Sequence, residues 1–256
     1  IISTIQANPS TKYAQWILRS LEDLIEGLYV DDLLRDGICR REEITKPTAD
    51  AIARLKKHGE EAIKEHRMFP QAAVHKSLRS EENTSAWEVQ ALTKLFISKR
   101  CKTLAKLLRI RTAFGNSGFV RATTAELKKA MKKAEMRNAI GQLIRLVKAQ
   151  HAGIDMMDII VCGAVAPYNV LLGGKLVCML LCSPEVVAMY RDRYGNKESV
   201  IASSMKGAAV VRKPQLVLLG TTSLYGSGSS QYNRVRIPCE RVGGRAQEQV
   251  EYKELG

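Results

Sequence analysis

The amino-acid sequence predicts a mixed fold, between α+β and α/β. A helical N-terminal half containing a pair of basic helices is followed by a C-terminal mixed α/β sheet domain. Three observations lead there. Apolar residues recur at three- and four-residue steps through most of residues 1–150, the mark of helices with one buried face. Beyond His151 they gather instead into short, partly β-branched runs separated by glycine-containing turns, as buried strands do. Hydrophobic residues make up 45% of the 256, enough to give both parts a core. The predicted domains are 1–150, helical, and 151–256, α/β.

The elements follow in chain order. Tyr13, Trp16, Ile17, Leu21, Leu24, Ile25 and Leu28 mark one stripe of a helix over 12–28, with a short element from Val30 to Leu34 after it. Lys46-Pro47-Thr48 breaks the chain and opens a third helix, whose apolar side is Ile52, Leu55 and Ile63; Gly59 in its middle weakens it. Residues 70–85 are polar and read as a loop. A long helix is expected from Ser85 to Phe114, and Gly115-Asn116-Ser117-Gly118 turns the chain. Thr123 and Glu126 have capping-box spacing and start a helix that runs to Ala149. In the second half, Met157–Cys162 suits a buried strand and Val170–Cys182 a helix entered through Gly173-Gly174. Ser183-Pro184-Glu185 is a helix start with Pro at the first position. Val200–Ser203, Ala209–Arg212, Gln215–Leu219 and Val235–Ile237 are predicted strands.

Several function classes fall away on composition. The longest apolar candidate, Val170–Met189, is interrupted by Lys175, Pro184 and Glu185, so no membrane span and no membrane partner is expected. The start at Ile1 lacks a charged segment with a cleavage site, which predicts no signal peptide. Cys39, Cys101, Cys162, Cys178, Cys182 and Cys239 form no Cys-x-x-Cys pair, and the four histidines do not complete a zinc site. Buried thiols and a reducing, cytoplasmic location are the expectation. No Walker motif is present, and neither a metal site nor a cofactor is expected. Cys162 has no histidine after it to serve as base, and Asp155 with Asp158 are too few for a metal.

Charge is the informative quantity. The net charge of +14 is gathered into 94–148, where 15 basic residues face only Glu126 and Glu135. Residues 1–93 carry 13 basic and 15 acidic side chains, and 149–256 carry 12 and 9. At about 100° per residue, Phe96, Ile97, Cys101, Leu104, Leu107 and Leu108 span an arc of about 140°, and Lys94, Lys99, Lys102, Lys106 and Arg109 fall opposite. Lys128, Lys129, Lys132, Lys133 and Arg137 crowd the first half of the next helix. Such density suits phosphate neutralisation, which gives affinity without base readout; a solvated helix face is the plain alternative. The segment Gly220–Arg234 sets Tyr225, Gln231, Tyr232, Asn233 and Arg234 in a Gly/Ser-rich loop. That mixture suits stacking on bases and holding phosphates, a small-molecule pocket, or a simple turn.

The second half also carries recognisable blocks. They are Cys162-Gly-Ala-Val-Ala-Pro-Tyr-Asn169, Leu171-Leu-Gly-Gly-Lys-Leu176, Ser183-Pro-Glu-Val-Val187, Tyr190-Arg-Asp-Arg-Tyr-Gly195, Ser199-Val-Ile-Ala-Ser-Ser-Met205 and Gly220 through Arg234. Over roughly 158–238 the chain resembles the DruA family of Druantia anti-phage defence systems. The resemblance implies a prokaryotic defence operon that also encodes a very large helicase, hence other Druantia proteins as partners. It implies a continuation beyond Gly256, so the chain reads as a piece of a longer protein, and it assigns no catalytic residues.

Two further readings stay open. The order strand, Gly-containing loop, helix, strand is similar to the core of the acetyltransferase fold, in which N–H groups at a helix start hold a pyrophosphate. In that reading the 164–175 loop, with Tyr168, Asn169, Gly173, Gly174 and Lys175, would bind a nucleotide cofactor. However, adjacent glycines with Val170 ahead of them depart from that family's usual spacing, and a Gly-Gly pair for close helix packing explains them as well. The other reading is a structural subunit bridging defence-complex partners, with self-association open.

Overall fold

The computed structural model describes residues 1–70, 84–160, 162–163, 165–220, 236–238 and 249–251. They fall into two compact units: the first comprises the described residues of 1–150 and 198–210, the second those of 151–197 and 211–256.

The first unit is built of helices: α1 (Ile2–Ala7), α2 (Thr11–Glu26), α3 (Asp31–Arg35), α4 (Arg41–Thr45), α5 (Ala49–Met68), α6 (Thr84–Ala91), α7 (Lys94–Asn116), α8 (Thr124–Ala130) and α9 (Ala134–Ala152). At its centre is α7, which buries Phe96, Cys101, Leu104, Leu107, Leu108, Ile110 and Phe114. Its partners supply Ile17, Leu21 and Leu24 from α2, Leu55 from α5, Leu127 from α8, and Ile140 and Leu143 from α9, all one core. Gly59 permits the closest of these crossings. A Cβ there would lie 3.0 Å from Cys101 Cβ, and the Ser98 hydroxyl donates to the Gly59 carbonyl at 2.6 Å. The glycine that weakens α5 as an isolated helix is what lets it pack on α7.

The predicted helix from Ser85 to Phe114 is two helices. Thr93 donates its N–H and its hydroxyl to the Gln90 carbonyl, at 3.2 and 2.8 Å, and its extended backbone then opens α7. The helix expected over 123–149 is likewise divided. It starts at Thr123, whose hydroxyl accepts from Glu126 N–H at 3.2 Å. It breaks at 131–133, where Lys132 and Lys133 N–H reach back only three residues, the tightened last turn of a helix. Periodicity runs unbroken across both joints because apolar spacing is preserved there; the breaks come from local hydrogen bonds.

Val200–Ser203, predicted as a strand, instead begins α12 (Val200–Lys206) in the first unit. Ser199 caps it by accepting from Ala202 N–H at 3.4 Å, and Gly207 ends it at φ 70°. Tyr29 N–H donates to the Met205 carbonyl at 2.8 Å, and the Tyr29 ring packs where a Gly207 side chain would lie. Both the φ and the close ring favour glycine. Ala209–Arg212 forms no strand either.

In the second unit, β1 (Met156–Asp158) pairs in parallel with β2 (Leu218–Gly220), and β3 (Arg236–Pro238) pairs antiparallel with β4 (Gln249–Glu251). In the chain β1 is followed by α10 (Asn169–Leu180) and α11 (Pro184–Tyr194), the latter starting at the proline that the sequence singles out. Ile159 and Cys178 are buried with Cys162, Met179, Leu181, Cys182 and Leu219 around them. The mixed helix-and-strand class holds, but helices dominate it. The two-stranded parallel sheet gives no support to an acetyltransferase-like core among the described residues. No described helix is long and apolar enough to cross a membrane.

Candidate nucleic-acid interface

Because α7 is surrounded by core on most of its circumference, its outward side is narrow. Lys99, Lys102, Lys106 and Arg109 occupy it at steps of three, four and three residues, so they share an arc of about 80° over about 15 Å of helix. Lys99, Lys102 and Arg109 are exposed and Lys106 is partly so. Lys99 Nζ also lies 4.8 Å from the centre of the Phe96 ring. Among the described residues, none of the four pairs with a carboxylate. Unlike them, Lys94 stands off this line and pairs with Glu65 of α5 at 2.6 Å.

The sequence groups all these cations by position, but the structure divides them by work. Arg100, one residue from Lys99, is wholly buried: Nη1 and Nη2 donate to the two Asp32 oxygens at 2.7 and 2.6 Å, and Nη2 also to the Ala91 carbonyl at 2.9 Å. Arg111 donates to the Ile44 carbonyl at 2.9 Å and pairs with Glu22. Lys133 Nζ donates to the Asn116 carbonyl at 2.6 Å, closing the C-terminal end of α7. Arg137 donates to the Met131 and Lys132 carbonyls at 2.9 and 2.7 Å, satisfying the end of α8. Lys128, Lys129 and Lys132 remain exposed, with no carboxylate paired to them among the described residues.

The α7 line continues to Asn116, whose amide donates to Glu135 of α9 at 3.4 Å. Beside it an open groove of about 380 Å³ lies between α5, α7 and α9. Arg109 belongs to both the line and the groove wall. Asn138 and Gln142 project into the same groove; sequence reading misses them, because two amides four apart on a helix carry no signal until a facing helix is known.

In the second unit, Tyr168 is exposed just ahead of α10. Gly173 and Gly174 lie within α10 rather than at its start, so their N–H groups belong to the helix ladder. The side chains of Asn169 and Lys175, and all of Tyr225, Gln231, Tyr232, Asn233 and Arg234, lie outside the described residues. Cys162 Sγ faces Cys178 Sγ at 3.9 Å. Asp155 is engaged in the fold: Oδ1 accepts from Gln215 N–H at 3.1 Å and Oδ2 meets His151 Nδ1 at 3.1 Å. No group of three or more His, Cys, Asp or Glu side chains suited to a metal occurs among the described residues.

Residues 142–256 match the family described as Druantia protein DruA. A curated relative, the Druantia protein DruA of Escherichia coli (strain UMEA 4076-1), is 39% identical over 84 residues, covering 33% of this chain. Residues 142–256 are thus similar to the DruA family. The aligned part is 19% of the relative, so the chain spans about a fifth of that protein's length. No solved structure matches. The matched segment begins at Gln142, inside α9, and includes α12 of the helical unit. The basic line of α7 and the lysines of α8 lie upstream of it.

Proposed function

We propose that this chain serves a Druantia anti-phage defence system in the cytoplasm by holding nucleic acid. Its phosphate backbone would run along Lys99, Lys102, Lys106 and Arg109 of α7, with Lys128, Lys129 and Lys132 adding to the field. The match of residues 142–256 to DruA supports the defence role, and with it partnership with other Druantia proteins. The observation that carries nucleic-acid binding is the segregation of charge on α7. Four cations stand in one line without a carboxylate partner among the described residues, while Lys94, Arg100, Arg111, Lys133 and Arg137 are held by the fold. A merely solvated face needs no such line, and cations left unpaired on one rigid helix are ready for phosphates.

The test is fluorescence anisotropy with labelled DNA and RNA oligonucleotides at low salt. The triple variant Lys99→Glu, Lys102→Glu, Lys106→Glu should lose binding by on the order of a hundredfold or more, with an unchanged helical circular-dichroism spectrum. Each reversal removes one phosphate contact and adds a repulsion. Equal binding by the variant and the native chain would refute the assignment.

A further inference from the structure

We propose that the groove between α5, α7 and α9 receives an unpaired base of the strand held on α7, so that the protein prefers single-stranded to duplex nucleic acid. This rests on the α7 line being the phosphate track. The groove has the composition that a base requires. Its floor is apolar: Ile52 of α5, Ile110 and Ala113 of α7, and Ala139 of α9. Ala49, Ala113 and Ala139 are small, so a hollow is left where the three helices meet. The floor residues themselves are nearly buried, and a planar ring gains by covering the apolar area still open in the hollow.

The α9 side of the rim is polar. Glu135, Asn138 and Gln142 follow one another at three- and four-residue steps and so stand on one face of α9. The carboxylate accepts hydrogen bonds, and each amide both donates and accepts; that is the mixture which the edge of a nucleobase presents. Asn138 is exposed and Gln142 partly so. Opposite them Arg109 closes the end of the phosphate line. A base entering beside Arg109 therefore has its phosphate on the guanidinium, its face on the floor and its edge toward the amides. In a duplex the base faces are stacked and the pairing edges occupied, so only an unpaired nucleotide offers all three. A free nucleotide offers the same chemistry, and the experiment must separate the two.

Three ligands are compared by anisotropy: a mixed-sequence single strand of about twelve nucleotides, the same sequence as a duplex, and an abasic strand of equal length. The native chain should bind the intact strand on the order of tenfold more tightly than the abasic one, the usual scale of one stacked base. Asn138→Ala with Gln142→Ala should abolish that difference while leaving abasic-strand affinity unchanged, because the phosphate line is intact. Ala139→Met, which fills the floor, should do the same and serves if the amide pair proves to matter for folding. Equal affinity of the native chain for intact and abasic strands overturns the inference and leaves the phosphate track standing. So does an intact-strand preference that survives both variants. If no strand binds at all, the track itself fails. Thermal stabilisation by millimolar nucleoside monophosphate, lost in the amide variant, then reassigns the groove to a free nucleotide and overturns the strand-held base.

Discussion

Arg100 of α7 and Asp32 of α3 form a two-armed ion pair inside the helical unit, with side chains 0% and 4% exposed. A third helix joins it, since Nη2 also satisfies the Ala91 carbonyl at the end of α6. The pair therefore fixes where α3, α6 and α7 meet. Arg100→Ala strands a buried carboxylate and should cost about 3–5 kcal/mol, read from urea unfolding. Lys102→Ala, two residues along on the exposed line, should change stability by no more than about 0.5 kcal/mol. Replacing both members, Arg100→Met with Asp32→Leu, should cost less than Arg100→Ala alone, because no unpaired charge remains. If Arg100→Ala and Lys102→Ala prove equally mild, the pair does not organise the unit.

Acid should weaken the α4–α5 junction. The Arg54 guanidinium, 2.8 Å from both Glu43 oxygens, holds the Glu43 carboxyl below the usual glutamate range, and Arg40 N–H donating at 2.8 Å adds to this. The folded value is the depressed one. Its contribution is thus complete above the ordinary glutamate value of about 4.3 and disappears as pH falls through the folded value. Glu43→Gln should be less stable than the native chain near pH 6, by a gap that narrows as pH falls below the ordinary glutamate value. Parallel stability-against-pH curves for the two would contradict this.

Thiol chemistry should sort by burial. Burial pushes the Cys101 thiol up to about 12, and it raises Cys39 too. Alkylation needs the thiolate and access to it, so iodoacetamide at about pH 8 should leave both unmodified in the folded chain and label them in urea. Cys162, half-buried, should react before either. Peptide mapping by mass spectrometry reads the order; early labelling of Cys101 would mean that the α5–α7 contact opens readily.

The helices around α7 were legible from the sequence because one buried stripe repeats every three or four residues, and Leu104, Leu108, Leu127 and Leu143 all fall in the core so expected. The exposed line of α7 was legible for the same reason, as the complement of that stripe. What was not legible depends on distant partners. Val200 and Ile201 favour strand by branching, yet Ser199, Gly207 and the Tyr29 contact make α12 a helix. Lys94, Arg100 and Lys133 carry the same charge as Lys102, and only Glu65, Asp32 and the Asn116 carbonyl distinguish them. Asn138 and Gln142 gain significance solely from facing Arg109.

That division of cations has its own measurable signature in the salt dependence of binding. Each lysine or arginine that neutralises a phosphate releases counterions, so the slope of log affinity against log salt falls by roughly 0.7–0.9 for each contact removed. If the α7 line is the track, Lys102→Ala and Lys106→Ala should each lower the slope by about that amount, and the double variant by about twice it. Lys94→Ala is the control. Its ammonium is paired with Glu65 at 2.6 Å and stands away from the line, so its removal should leave the slope near the native value even if overall affinity shifts slightly. The ranking does not depend on the identity of the nucleic acid, since phosphate contacts carry no sequence information. It is read from titrations at four or more salt concentrations with one labelled oligonucleotide. A Lys94→Ala slope that drops as far as that of Lys102→Ala would show that the general positive field, rather than the line on α7, holds the strand.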